Sequence, residues 1–80
     1  MSAELVAIAA HAETLRLDAR TLTTCAERLR AVEAGLAADG AAPPWLRAAV
    51  EAHAAACVVA AADLETAARR LDSYAERASP

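Results

Sequence analysis

The sequence predicts an all-α fold: an antiparallel two-helix hairpin, coiled-coil-like, that we expect to dimerise into a four-helix bundle. Apolar residues recur at alternating steps of three and four through two long segments, which is the spacing of a coiled-coil seam. The 80 residues include two Gly and three Pro, too few for the many turns of a β-sandwich or barrel. The single cluster of helix-breaking residues lies near the midpoint, and a short connection makes two helices antiparallel neighbours. One domain, residues 1–80, is therefore expected.

The first helix is expected over about residues 3–38. Ser2 can cap its N-terminus, and Glu4 in the first turn suits the positive end of the helix dipole. Gly40 suits the position just after the helix, where a left-handed backbone is favoured. One half of the predicted seam recurs at every seventh position: Ile8, Leu15, Leu22, Leu29 and Leu36. The alternate positions are assigned to Leu5, Ala12, Ala19, Cys25 and Val32, with a drift in register between Ala19 and Leu22.

Residues 39–43 form the predicted turn, and the second helix is expected over about residues 44–77. Pro44 suits the first turn of a helix because its missing N–H costs nothing there. Steps of four and three then predict the second seam: Leu46, Val50, His53, Cys57, Ala60, Leu64, Ala67, Leu71, Tyr74 and Ala78. Glu and Arg three or four residues apart predict ion pairs on the solvated faces: Glu13/Arg16, Glu27/Arg30 and Glu65/Arg69.

A turn centred near residue 41 places Cys25 and Cys57 at the same level, in facing seam positions. Two buried free thiols would act as small apolar side chains. In an oxidising compartment the same residues would form a disulfide between the helices. A catalytic thiol needs a base and an electropositive setting, and although His53 is one turn from Cys57, no residue pattern for an oxyanion site accompanies it. Both structural interpretations stay open, and no catalytic residue is expected.

Charge and hydropathy narrow the possible partners. The net charge is −3 and all eight cationic residues are Arg, so no basic patch for nucleic acid or an anionic membrane is expected. The longest apolar stretch, residues 52–62, is interrupted by His53 and is shorter than the roughly 20 residues that span a bilayer, so no membrane insertion is expected. No basic segment precedes the first apolar residues, which argues against a general secretory signal peptide.

No metal or cofactor is expected either. His11 and His53 each have a glutamate two positions away, and residues at that spacing on a helix point apart rather than towards one ion. An enzyme that binds a dicarboxylate inside a small helical dimer is disfavoured because Lys, Asn and Gln are absent and most Arg lie off the seam.

The supply of large apolar side chains is thin. The apolar fraction is 58%, but 26 of these residues are Ala, so about 20 larger ones are spread over two long helices. Four of the larger ones lie beside the seams and widen the apolar face beyond what one partner helix covers: Val6, Leu17, Val58 and Val59. They are the predicted dimer interface, against which a second hairpin would pack.

Pro43, Pro44 and Trp45 form a cluster beside the turn. Trp45 either packs over the end of the hairpin as a staple or stays exposed as an anchor for a partner protein.

Three parts of the chain together resemble a known family: residues 3–15 with His11, residues 48–78, and Trp45 at the central turn. In an acidic chain with two Ala-rich heptad helices, they are similar to the small helical-hairpin (WXG-type) proteins of type VII (ESX) secretion, in the Ala-rich "type VII secretion target" branch. The resemblance implies a non-enzymatic substrate or partner subunit in a homo- or heterodimeric helical bundle. Its implied partners are another hairpin (itself or a WXG-type protein) and the secretion machinery. The implied location is the cytoplasm, with or without export by type VII secretion.

Two places differ from the family pattern. The family turn is Trp-X-Gly, whereas residues 45–47 are Trp-Leu-Arg. The family export signal is Tyr followed four residues later by Asp or Glu; Tyr74 is followed there by Ala78, and Glu76 is only two residues on. This degenerate signal implies either export with a partner that carries the signal or a non-secreted accessory subunit. The alternative function, from another class, is a cytoplasmic structural or regulatory coiled-coil module for protein–protein interaction.

Overall fold

The computed structural model describes residues 2–80 and confirms the predicted all-α hairpin. Two helices, α1 (Ala3–Asp39) and α2 (Pro44–Ala78), are joined by residues 40–43 and pack antiparallel along each other. Each helix extends one residue beyond the C-terminal end expected for it. The Cα atoms span 61 × 13 × 12 Å, so the hairpin is a thin rod with a turn end and an open end.

Local interactions fix both ends of α1. Ser2 Oγ accepts a hydrogen bond from the Leu5 backbone N–H at 3.1 Å, which satisfies one of the N–H groups left unpaired where a helix begins. At the other end Gly40 has a φ of 71°, a left-handed conformation that a residue with a Cβ adopts only at a cost. Gly40 therefore ends α1 and directs the chain towards α2.

The start of α2 has no side-chain cap. Pro43 precedes it in an extended conformation, and Pro44 occupies the first helical position, which its fixed φ suits. The Leu46 N–H donates to the Pro43 carbonyl at 3.1 Å. Glu33 of α1 lines a cleft at this end with Pro44 and Arg47. Because the first turn of α2 has no acidic residue of its own, Glu33 supplies a carboxylate near the positive end of its dipole.

The centre of the seam is lined by alanine. The buried side chains of residues 2–80 are six alanines spaced seven residues apart in each helix: Ala12, Ala19 and Ala26 in α1, and Ala54, Ala61 and Ala68 in α2. The residue three positions after each of them is half-buried, and it is Leu in every case but Cys57. The seam of α1 therefore keeps alternating steps of three and four throughout, and the expected drift in register is wrong.

Five of the predicted seam positions are exposed: Cys25 and Val32 in α1, and His53, Tyr74 and Ala78 in α2. Ala78 is the last residue of α2, and at each of the other four positions the next residue along the chain is covered instead: Ala26, Glu33, Ala54 and Ala75. One residue turns a side chain by about 100° around a helix, so these positions cannot share the seam with their neighbours. Size or hydrophobicity favours the predicted residue at these four positions, whereas the structure covers the residue that is in phase.

The turn is centred between Ala41 and Ala42, so residues equally distant from it along the chain lie at one level. On this register each buried alanine lies opposite a larger seam residue. The α1 alanines 12, 19 and 26 lie opposite Leu71, Leu64 and Cys57, and the α2 alanines 54, 61 and 68 lie opposite Leu29, Leu22 and Leu15. Pairing a small with a large side chain in every layer fills the space between two closely spaced helix axes.

Candidate functional site

Seven large apolar side chains remain on the outside of the hairpin, each between 48% and 70% exposed: Val6, Leu17, Val32, Trp45, Val58, Val59 and Tyr74. Within residues 2–80 no side chain larger than alanine is fully buried. Two helices cover only the facing stripe of each other, so apolar residues away from that stripe need a further partner to leave water. This uncovered apolar surface is the candidate functional site.

The four residues of the predicted dimer interface all lie on this outside surface, but not in one strip. Val58 and Val59 are adjacent in α2, so their side chains point about 100° apart. Val6 is 18 residues further from the turn than Val59, about 27 Å along the hairpin at 1.5 Å per residue. Leu17 lies between those two levels, on α1. A single partner helix that lies along one face would therefore cover one of Val58 and Val59 more than the other.

Trp45 is the most exposed of these side chains, at 70%. It follows Pro43 and Pro44 in the first turn of α2. At this exposure the indole does not act as a staple over the end of the hairpin. The cluster of residues 43–45 instead presents an aromatic ring to solvent at the turn end of the rod, and its role in docking stays a prediction.

The degenerate export-signal region lies in the last turns of α2. Tyr74 is about half exposed and Glu76 is exposed. Residues two apart on a helix point to different sides, so Tyr74 and Glu76 do not present one combined face. The helix ends at Ala78, and the Ser79 N–H donates to the Ala75 carbonyl at 3.0 Å. A role of this region in export stays a prediction.

An ion pair that sequence reasoning did not predict joins the two helices. Arg16 donates to Asp72 Oδ2 at 2.6 Å and lies 3.0 Å from Glu13 Oε2. These hydrogen bonds, chiefly the one to Asp72, raise the pKa of Arg16 above its ordinary value. A sequence signal was present: Arg16 follows the seam residue Leu15, and Asp72 follows the seam residue Leu71. Both therefore flank the seam on the same side of an antiparallel pair.

Arg16, Arg20 and Arg69 line a cleft of about 240 Å³ with Glu65 and Ala68. Three carboxylates lie beside these three guanidinium groups: Glu13, Glu65 and Asp72. Charge is therefore balanced in the cleft, which gives it little attraction for an anionic substrate.

Two of the three predicted surface pairs have other partners. Arg30 pairs with Glu33 at 3.8 Å, and Arg69 donates to Thr66 Oγ1 at 3.1 Å. The Glu13–Arg16 pair forms as predicted. Exposed contacts of this kind add little to stability, so the change of partners leaves the fold unaffected.

Cys25 and Cys57 are free thiols, with Cys25 exposed and Cys57 half-buried. Burial raises the pKa of the Cys57 thiol, and the neighbouring Cys25 raises it further. The register set by the turn places Cys25 one position from the level of Cys57, and a disulfide between them stays a prediction. Cys25, however, lies at the edge of the seam beside Ala26 and not within it.

Among residues 2–80, no three His, Cys, Asp or Glu side chains are grouped so that they could hold a metal ion. In the same part of the chain, α2 is the one helix long and apolar enough to cross a membrane, judged by length and composition. Its most apolar stretch has a mean hydropathy of 1.3, and 11% of that stretch is buried inside the hairpin. The apolar character of α2 is therefore mostly uncovered.

No family model matches the chain, and neither a curated protein nor a solved structure matches it. The resemblance to the WXG-type proteins therefore rests on the residues of the chain alone.

Proposed function

We propose that the chain is a non-enzymatic helical subunit of type VII (ESX) secretion, a substrate or partner subunit that packs against a second hairpin. The second hairpin is another copy or a WXG-type protein, and the assembly is a four-helix bundle. The proposal is supported by the hairpin fold, by the pattern of residues 3–15 and 48–78, and above all by the surface that the hairpin leaves uncovered.

The amount of uncovered surface is the observation that carries the proposal. The chain of 8.2 kDa has an accessible surface of 5490 Å². A folded monomer of this mass typically exposes about 4,500 Å². The excess of about 1,000 Å² is close to the roughly 800 Å² that each partner contributes to a standard interface. Docking of one further hairpin would therefore bring the exposed surface per chain to the ordinary range.

Adjacent valines in α2 allow the docking face to be located. Val58 and Val59 have the same side chain and similar exposure, but they point to different faces. Val58→Glu and Val59→Glu are therefore matched variants. We expect one of them to dissociate the assembly and lower the melting temperature, because folding and association are linked, while the other leaves both unchanged. Light scattering that gives a dimer of unchanged mass for both variants would show that neither valine lies in the dimer interface.

The secretion part of the proposal needs a separate test in the bacterium that encodes the chain. We expect a tagged copy in the culture medium when the ESX ATPase is present, and none when the ATPase gene is deleted. A Tyr74→Ala copy tests whether the degenerate signal contributes to export. If the chain is exported through a partner's signal, the amount of this variant in the medium should equal that of the parent chain. A copy that stays in the cell in the wild-type strain would contradict export.

Two observations favour the alternative function, a cytoplasmic structural or regulatory coiled-coil module. The turn has Arg47 where the family has Gly, and Ala78 stands where its export signal has an acidic residue. A chain that dimerises but is never exported fits this alternative.

A further inference from the structure

We infer that Cys25 and Cys57 form a thiol–disulfide exchange site, in which exposed Cys25 reacts first with a small anionic disulfide and Cys57 then closes a bridge between the helices. Oxidised glutathione, a peptide disulfide with several carboxylates, represents this class of reactant. The inference is independent of the proposed secretion function.

The register of the hairpin places the two residues at nearly the same level on facing helices. Cys25 precedes the buried Ala26, and Ala26 lies opposite Cys57 on the register set by the turn. A disulfide requires Cα atoms within about 7 Å, and two helices come closest where the seam residues are small. Cys25 is one position from that level, so the two thiols are carried by neighbouring backbone positions of the facing helices.

The two thiols differ in access, and this sets the order of reaction. Cys25 is exposed, whereas Cys57 is half-buried in the seam. Attack on an external disulfide requires both a thiolate and access to the sulfur. Burial raises the pKa of Cys57, so its thiol is the poorer nucleophile towards an external reagent at neutral pH. Cys57 therefore reacts well only within the molecule, where the sulfur that it attacks is that of Cys25 in the mixed disulfide.

The surroundings of Cys25 favour an anionic reactant. A shallow groove of about 470 Å³ on the outside of α1 is lined by Cys25 together with Thr21, Thr24, Arg20 and Arg28. Arg20 lies 3.7 Å from Glu13, whereas no ion pair within residues 2–80 involves Arg28. A guanidinium group one turn from the exposed thiol can hold a carboxylate of the incoming disulfide.

The two steps balance in atoms and electrons. In the first, the Cys25 thiolate attacks one sulfur of the external disulfide, forms a mixed disulfide and releases one small thiolate. In the second, the Cys57 thiolate attacks the Cys25 sulfur, closes the intramolecular disulfide and releases the second small thiolate. The protein loses two electrons and two protons, and the external disulfide is reduced to two thiols. The new bond links α1 to α2 at one level of the seam.

The test follows the reduced full chain with oxidised glutathione by mass spectrometry. We expect a chain that is not covalently linked to another, whose mass is lower by two hydrogen atoms and whose melting temperature is higher by about 10 °C, because the bridge restricts the unfolded chain. Cys57→Ala should accumulate a glutathione adduct on Cys25. Cys57→Ala should react with oxidised glutathione at least about tenfold faster than Cys25→Ala, because Cys25→Ala retains only the half-buried thiol of Cys57. Circular dichroism checks that both variants stay helical.

Two further variants test the geometry and the choice of reactant. The double variant Cys25→Ala, Thr24→Cys moves the thiol one position, about 100° around α1, and should give the adduct without the bridge. Arg28→Gln should slow the reaction with oxidised glutathione about threefold and leave the reaction with neutral hydroxyethyl disulfide unchanged. Disulfide-linked dimers as the sole product, equal reactivity of the two thiols, or a bridge from position 24 would overturn the exchange site. An equal effect of Arg28→Gln on both reagents would overturn the preference for an anionic reactant.

Discussion

Gly35 and Gly40 occupy opposite backbone situations within five residues of each other. Gly35 lies inside α1, and a Cβ added there would meet nothing within 4 Å. Gly40 has a φ of 71°, in the left-handed region. We expect Gly35→Ala to raise the free energy of unfolding by about 0.5–1 kcal/mol, because alanine favours the helix. Gly40→Ala should lower it by about 1–2 kcal/mol, because alanine is strained at that φ. Urea denaturation measures both, and equal signs would contradict the placement of the turn.

Burial of the Cys57 thiol makes the stability of the reduced chain depend on pH. Its pKa is higher in the folded chain than in the unfolded chain, so the unfolded state ionises first as the pH rises. The stability gained by burying the neutral thiol is therefore fully present below the unfolded pKa of about 8.5 and is lost as the pH rises through the raised pKa. We expect the melting temperature of the reduced chain to fall more steeply above that pH than that of Cys57→Ala. Parallel curves for the two proteins would show that the thiol is not desolvated.

At the scale of the helices, the leucine repeat predicts the fold but not every seam position. Leu15, Leu22 and Leu29 mark the phase of α1 correctly, and the run of alternating steps would have placed Ala26 beside them. Assigning Cys25 instead follows hydrophobicity. That criterion fails in an Ala-rich chain, where the helices are close and the in-phase residue is small. The phase of the strongest repeat is thus a better guide here than the apolar character of single residues.

The alanine layers lead to a prediction about packing. Ala19 is fully buried opposite Leu64, whereas Ala10 lies exposed on the same helix. Ala19→Leu forces extra methyl groups into a filled layer, and we expect a loss of about 1–3 kcal/mol in the free energy of unfolding. Ala10→Leu makes the same change in helix propensity without the crowding and should stay within about 0.5 kcal/mol of the parent chain. Chemical denaturation that finds equal effects at both positions would mean that the helices are not closely packed at Ala19.

At the scale of the whole molecule, the core is a strip of alanines and half-buried leucines along a rod 61 Å long. The sequence predicts this shortage of core, because so few apolar residues are larger than alanine. It also predicts that Val6, Leu17, Val58 and Val59 are left over, but not that they point to different faces. The Arg16–Asp72 pair was missed because its partners are far apart in sequence and become neighbours only once the register is known. The identity of the proposed partner hairpin depends on a second surface, which lies on that partner.

The most direct test of the proposal that the hairpin needs a second hairpin is its mass in solution. Sedimentation equilibrium of the full chain is combined with thermal melting over about a hundredfold range of concentration. The uncovered apolar surface predicts a mass of about twice 8.2 kDa and a melting temperature that rises with concentration, because association stabilises the folded chain. A mass of 8.2 kDa at every concentration, with a sharp melt that concentration does not change, would contradict it.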